Sequence, residues 1–409
     1  MEESKLIYIN DCYEDGDSFV VRYENVTREV VDNILNVEGV EEIEEIEARI
    51  PLSQMYESPE VFVDRLMLFE EEFDINQNGF RNAVKGGNDP RARSLRGSLQ
   101  YLNQKNKANL LELSEENNSN TGLGRDWYVC IFNVGNGESN LLVAPDGKLY
   151  LFDGGSLNQD VCSKIKKVIS YFEEQNINIA KEISGFFISH CDGDHFRGVI
   201  EAIDKIDTTK DCFLYYNYLS SFSKPSWVNG LARIDNLACK GKISKYVLIP
   251  EKSNLKQMSC LIPSLRITWF WPYNYSQTQC VTNNIKSNDS SHCFYISSED
   301  DKYSINFFGD AEKIAGSKID FDLAKLDEEF LFKPSHHGRN SGNINILVNP
   351  FIDMHQHFDQ CSKVKFFVSS TNNNKHLTPI ASKHSLTGSA KTAMIFKFSS
   401  SGLSKTAVI

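Results

Sequence analysis

The sequence predicts a layered α/β fold over residues 125–409, preceded by an acidic α+β region. Three observations carry this expectation. Strand-like apolar runs alternate with an amphipathic helical segment in KLYLFDGG, VCSKIKKVISYFEE and GFFISH, the succession that builds an α/β domain. Several of those runs end abruptly in polar residues, as in LFDGG, FFISH and NFFGD. The charge balance also changes sharply across the polar, Gly/Asn-rich stretch Ser114–Asp126, which reads as a linker.

The chain has 409 residues, enough for two or three domains. Its 41% hydrophobic, 11% aromatic and 24% charged residues are ordinary globular values and exclude global disorder or a fibrous repeat. No apolar run approaches the ~18 residues that a bilayer span needs, and MEESKLIYIN lacks a basic stretch followed by an apolar one. Ten cysteines are scattered without a CxxC pair. A cytoplasmic protein with reduced thiols, without membrane association, is the expectation.

The formal net charge of −12 argues against phosphate substrates only when read as an average. Residues 1–124 hold 26 acidic and 12 basic residues, a net of −14, whereas 125–409 carry a net of +2. The larger part is therefore open to an anionic substrate.

Residues 1–120 are expected to form an acidic accessory or partner-docking domain. LIYIND and SFVVRYEN read as strands around the turn Glu14–Asp17. The stretch from Thr27 to Ile50 shows near-helical spacing at Val30, Val31, Ile34 and Leu35, and FVDRLMLFEEEFD reads as a second amphipathic helix. Between Arg81 and Lys107 seven basic residues face a lone Asp89, a solvated face or a phosphate contact.

In the second region, WYVCIFNVG and SNLLVA read as strands around a turn at Gly135 and Gly137, and VKFFVSS as a later strand. Residues 205–285 read as an irregular, aromatic-rich insert. Its rings are either packing or a stacking platform for bases.

The chemistry concentrates in Ser189-His190-Cys191-Asp192-Gly193-Asp194-His195. Four metal-ligand side chains fall within six residues, directly after the apolar run GFFI. His190 and Asp192, two apart on an extended chain, project to one side. Gly193 lets the backbone turn and aim Asp194 and His195 at a second point, which suits two metals a few Å apart. The competing reading makes these loop residues, with Asp192 or Asp194 capping a helix.

His-x-Asp-x-Asp-His resembles the signature loop of the metallo-β-lactamase superfamily, in the form of its ComEC/Rec2-like branch, where Asp192 stands in place of a second His. Phe132-Asn133-Val134-Gly135-Asn136-Gly137-Glu138-Ser139, Leu151-Phe152-Asp153-Gly154-Gly155 and Asn288-Asp289-Ser290-Ser291 are similar to further motifs of that branch, in the right order. So are Phe307-Phe308-Gly309-Asp310, Lys333-Pro334-Ser335-His336-His337-Gly338 and Asn373 to Pro379. The resemblance covers about 127–380. It implies a four-layered αββα sandwich and two divalent ions, zinc or manganese. Zinc is the family's commonest ion, and the carboxylate-rich ligand set brings manganese into competition.

The resemblance further implies that His190, Asp192 and one of His336/His337 hold the first ion. Asp194, His195 and His376 would hold the second, and Asp310 would bridge. Asp194, His336 and His337 are the candidate catalytic residues, the non-ligand member of the His pair donating a proton to the leaving group. Asp153 is expected to orient a ligand His from behind. Asn133 and Glu138 depart from the family's Asp residues and read as structural. Cys191 occupies a variable position. His355 and His357 read as a surface loop or helix face, and His292 and His384 as isolated core or surface histidines.

The activity implied is hydrolysis of phosphodiesters by a metal-bound hydroxide, as a nuclease acting on nucleic acid. Small phosphodiesters such as cyclic nucleotides or phosphocholine esters are the alternative substrates, and a regulated non-catalytic binding module is the alternative class. The acidic N-terminal region would dock a protein partner or mimic phosphate.

Overall fold

The computed structural model describes residues 5–15, 18–27, 43, 45–51, 126–135, 137–216, 225–247, 261–271, 288–298, 302–311, 329–338, 363–369 and 384–409. The chain divides into two compact units. One comprises 1–105 with 221–235 and 341–348; the other comprises 106–220, 236–340 and 349–409.

In the first unit, β1 (Lys5–Asp15), β2 (Ser18–Thr27) and β3 (Glu45–Pro51) form an antiparallel sheet in that order. The strand β3 corrects the helix expected to run to Ile50. Ile46, Ala48 and Ile50 alternate with Glu45, Glu47 and Arg49, so this end of the stretch also satisfies the period of two, and pairing with β2 selects it. The remainder of that helix, the one over 62–74 and the basic stretch lie outside the described residues.

The second unit is a mixed α/β structure built on two sheets. The larger contains β4 (Trp127–Phe132), β5 (Ser139–Val143), β6 (Leu149–Gly154), β7 (Ile183–Ile188), β8 (Thr208–Tyr216) and β9 (Lys245–Val247). The smaller contains β10 (Leu265–Trp271), β11 (Cys293–Ser298), β12 (Tyr303–Phe307), β13 (Glu329–Phe332), β14 (Val364–Ser369) and β15 (His384–Leu386). Two C-terminal strands, β16 (Ala393–Ser399) and β17 (Gly402–Val408), extend the larger sheet next to β4. Both sheets follow one plan: antiparallel pairing through β4-β5-β6 and β10-β11-β12, then parallel pairing onward from β6 and from β12.

Alternation along each strand builds the layers. Val129, Ile131, Tyr150 and Phe152 of the larger sheet share one core with Ile267, Phe294, Ile305 and Phe307 of the smaller. Leu149, Leu151, Tyr128 and Cys130 point to the other face and are buried there too. That face carries α1 (Val161–Glu174) and α2 (Gly193–Lys205). Asp160 caps α1 by accepting from Ser163 N–H at 3.1 Å. Val161, Ile165, Val168 and Phe172 form its buried stripe, Phe172 meeting Tyr128 edge to face at 5.0 Å. Each such aliphatic or aromatic side chain contributes about 1.5–3 kcal/mol by burial.

The stretch 205–285 is not an irregular insert where it is described. It supplies β8, β9 and β10 and a third helix, α3 (Pro225–Cys239). Only the second half of β8 is buried, so no alternation marks it in the sequence. Its rings pack: Tyr215 lies 5.1 Å from Trp269 and 5.4 Å from Phe187. Six cysteines among the described residues are outside any disulfide. Burial pushes the Cys162 thiol up to about 11. No helix among the described residues is long and apolar enough to cross a membrane.

Candidate metal centre

The parallel portions of both sheets deliver their carboxyl ends to one place, where α/β proteins bind ligands. Asp153 closes β6, Ser189 to Asp192 follow β7, Asp310 follows β12, and His336 and His337 follow β13. Helix α2 is drawn against β6 by a glycine pair. A Cβ on Gly198 would stand 2.0 Å from Gly154 O, and one on Gly154 would stand 2.1 Å from Val199 N. That approach brings the first turn of α2, with Asp194 and His195, beside Asp153.

Asp192 occupies the N-cap of α2 in an extended conformation, yet its side chain makes no capping hydrogen bond. Its Oδ2 lies 3.5 Å from His190 Nε2. The capping alternative therefore does not account for Asp192.

The carboxylate of Asp310 is flanked on both sides. Its Oδ1 is 3.2 Å from His195 Nε2, while its Oδ2 is 3.3 Å from His337 Nε2 and 3.6 Å from His336 Nε2. Asp194 reaches His337 Nε2 at 3.7 Å and His195 Nε2 at 4.0 Å. All of these residues are buried. Four sets offer ligand atoms within 4.8 Å of one another: His190 with His195 and Asp310, Asp194 with His195 and His337, Glu138 with Asp310 and His337, and Glu138 with Asp153 and His195.

These sets overlap: His190 stands beside His195 and Asp310, and His337 beside Asp194 and His195. Among the described residues His337, and not His336, enters these sets. His376, the residue implied for the second ion, lies outside the described residues, as do His355 and His357.

His190 Nε2, His195 Nε2, Asp310 Oδ1 and both ring nitrogens of His337 have no hydrogen-bond partner although they are buried. Orphaned polar atoms are costly, and four such side chains converging on one point fit divalent cations. Nitrogen and carboxylate donors in this mixture suit zinc or manganese.

Backbone strain marks the same place. Asp153, His336 and His337 take positive φ values of 53°, 49° and 56°, three of the six non-glycine residues in that region among those described. The electrostatics are equally coupled. Burial by itself would push His195 down, but the carboxylates of Asp310 and Asp153 outweigh it and hold the imidazole well above its ordinary value. Burial would push Asp310 up; the imidazoles of His337, His195 and His336 hold it well below the carboxylate range.

Asp153 accepts from Ser189 N–H at 2.8 Å and Ser189 Oγ–H at 2.7 Å, and lies 2.9 Å from His195 Nδ1. Glu138, read as structural, and Lys333, given no role of its own, stand close by. Glu138 is buried beside Asp310 and His337 and forms an ion pair with the equally buried Lys333. The signal for Glu138 was its place where the resembled motif has an acid, and for Lys333 its place at the head of Lys-x-x-His-His-Gly.

His292, read as an isolated histidine, lies in the core 4.5 Å from the Tyr215 ring with neither ring nitrogen hydrogen-bonded. Burial and the nearby His190 hold it well below the ordinary imidazole value. It lines a cavity with room for about one water, together with Phe187, Phe294 and Ser189. No protein-family model and no curated protein matches the chain.

Proposed function

We propose that the chain is a dinuclear metal-dependent hydrolase of phosphodiesters, acting as a nuclease, on the four-layered αββα sandwich of the metallo-β-lactamase superfamily. The observation that carries this reading is the convergence of His190, His195, His337 and Asp310, each with a buried unpartnered ligand atom, at the strand ends of both sheets. Two ions bound there, zinc or manganese, would supply an activated water at neutral pH and positive charge facing the phosphate.

The protein's own residues have separable roles. His190, His195, His337, Asp192, Asp194 and Asp310 would hold the ions. Asp153 fixes His195 from behind through Nδ1. His336, beside Asp310 but outside the ligand sets, is the group to deliver a proton to the leaving oxygen. The net charge of +2 over 125–409 lets a polyanion approach, and the acidic N-terminal region is a docking surface for a protein partner.

The experiment is an activity panel with Mn²⁺ or Zn²⁺ on single-stranded DNA, duplex DNA, RNA and bis-p-nitrophenyl phosphate, with Asp194→Ala as control. Cleavage of nucleic acid that the substitution abolishes is expected. Turnover of the small ester alone would move the substrate class to small phosphodiesters. No turnover, or turnover that survives Asp194→Ala, would overturn the enzyme reading in favour of a binding module.

A further inference from the structure

We propose that Ser189 is a positioning residue that lets one carboxylate, Asp153, set the tautomers of two histidines at once. Asp153 acts on His195 directly and on His190 through the Ser189 hydroxyl.

The number of protons available fixes the direction of each hydrogen bond. Ser189 Oγ carries a single hydrogen and stands 2.7 Å from Asp153 Oδ2 and 3.0 Å from His190 Nδ1. A carboxylate oxygen has no hydrogen to give, so the short contact to Asp153 requires the hydroxyl to donate there. Oγ is then left only with lone pairs toward His190, and Nδ1 of His190 must carry its proton and donate it. The Nε2 atom of His190 is thereby a lone-pair donor, and it is one of the unpartnered buried atoms of the metal centre.

The opposite assignment fails twice. It would set Ser189 Oγ and Asp153 Oδ2 lone pair against lone pair at 2.7 Å. It would also leave an Nε2–H whose neighbouring acceptor, Asp192 Oδ2, is 3.5 Å away and makes no hydrogen bond with it. His195 needs no relay to anchor its Nδ1–H, which lies 2.9 Å from Asp153 Oδ2. Both imidazoles thus present Nε2 forward, as ligands whose other ring nitrogen is anchored do.

The hydroxyl is held in place by its surroundings. Ser189 N–H donates to Asp153 Oδ1, and Ser189 C=O accepts from His292 N–H at 3.1 Å. Gly309, directly before Asp310, leaves room for it: a Cβ there would stand 2.9 Å from Ser189 Oγ. The Phe-Gly-Asp turn of one sheet and the Ser-His turn of the other are therefore fitted to each other at this atom.

The relay is tested in metal-free protein by ¹⁵N NMR of the histidine rings at about pH 9, with His190 assigned by the signal lost in His190→Ala. The wild type is expected to show His190 as Nδ1–H, Ser189→Thr to retain that form, and Ser189→Ala to populate Nε2–H. A wild-type His190 that is mainly Nε2–H, or one unchanged in Ser189→Ala, overturns the relay. Should Ser189→Ala fail to fold, the wild type and Ser189→Thr still decide.

The second arm rests on the metal reading and titrates Mn²⁺ and Zn²⁺ by calorimetry. Ser189→Ala is expected to weaken one class of ion by about 10–100-fold, and Asp153→Ala both. Equal weakening of both classes by Ser189→Ala counts against the relay. A wild type that takes up no ion overturns the metal reading alone, and the tautomer measurement then stands by itself.

Discussion

The ammonium of Lys333 and the carboxylate of Glu138 pair in the interior, joining the end of β13 in one sheet to the start of β5 in the other. Glu138 also accepts from Asn140 Nδ2 at 3.0 Å, and the backbone of Lys333 is gripped by Asn306, which accepts from its N–H at 2.8 Å. Lys333 leads directly into the left-handed residues His336 and His337, so the pair braces the loop that carries them.

Removing one partner of this pair strands a buried charge. Lys333→Met is expected to cost about 3–5 kcal/mol, whereas Lys333→Met combined with Glu138→Leu should recover much of that loss. Urea denaturation of the two variants checks this. A single variant as stable as the double would show that the pair is not desolvated as described.

Gly198→Ala tests the glycine contact that seats α2. With Gly154 O at 2.0 Å from the added carbon, the helix must shift away from β6. A loss of at least about 1–3 kcal/mol is expected, as for an overpacked core. Because His195 moves with the helix while Asp153 stays on the strand, divalent-ion affinity should fall as well. A stable variant with unchanged affinity would contradict the close approach.

How much of this was legible depends on where each signal lies. Strands β4, β6 and β7 are buried on both faces, so they read as continuous apolar runs, and α1 reads by its 3.6-residue stripe. The stretch ending at β3 misled because its isoleucines satisfy both periods, and sheet pairing decided between them. The His/Asp cluster at His190–His195 is dense in sequence, and the structure brings His190, Asp194 and His195 close to Asp310 and His337. Ser189 to Asp153 spans 36 residues and Lys333 to Glu138 spans 195, and no local pattern announces a partner at such distances.

His292 should weaken the protein in acid. Its imidazole stays neutral in the fold, under burial and the nearby His190, while the unfolded chain takes a proton below about pH 6.5. Stability is thus lost as pH falls below that value. His292→Leu is expected to raise the melting temperature at pH 5 and to change stability by less than about 1.5 kcal/mol at pH 8, since it removes a buried group with no hydrogen bond. Melting curves at the two pH values decide it, and an equal shift at both would remove titration as the cause.

The pair His195 and Asp310 has the opposite sign on the alkaline side, and metal should reverse it. In metal-free protein His195 is held well above the ordinary imidazole value of 6.5. Its contribution is complete below about pH 6.5 and is lost as pH rises through the folded-state value. Asp310 is held well below the ordinary carboxylate value, so its contribution is present above about pH 3.8 and is lost in stronger acid. A divalent ion competes with the proton for His195 Nε2, so binding releases protons and tightens as pH rises. The melting temperature of metal-free protein should therefore fall between pH 6.5 and 9, while the increment from saturating Mn²⁺ or Zn²⁺ grows over the same range. Asp310→Asn removes a carboxylate that holds the proton on His195 and offers an oxygen to the ion. That variant should flatten both trends, and a metal increment independent of pH in the wild type would place the ion away from His195.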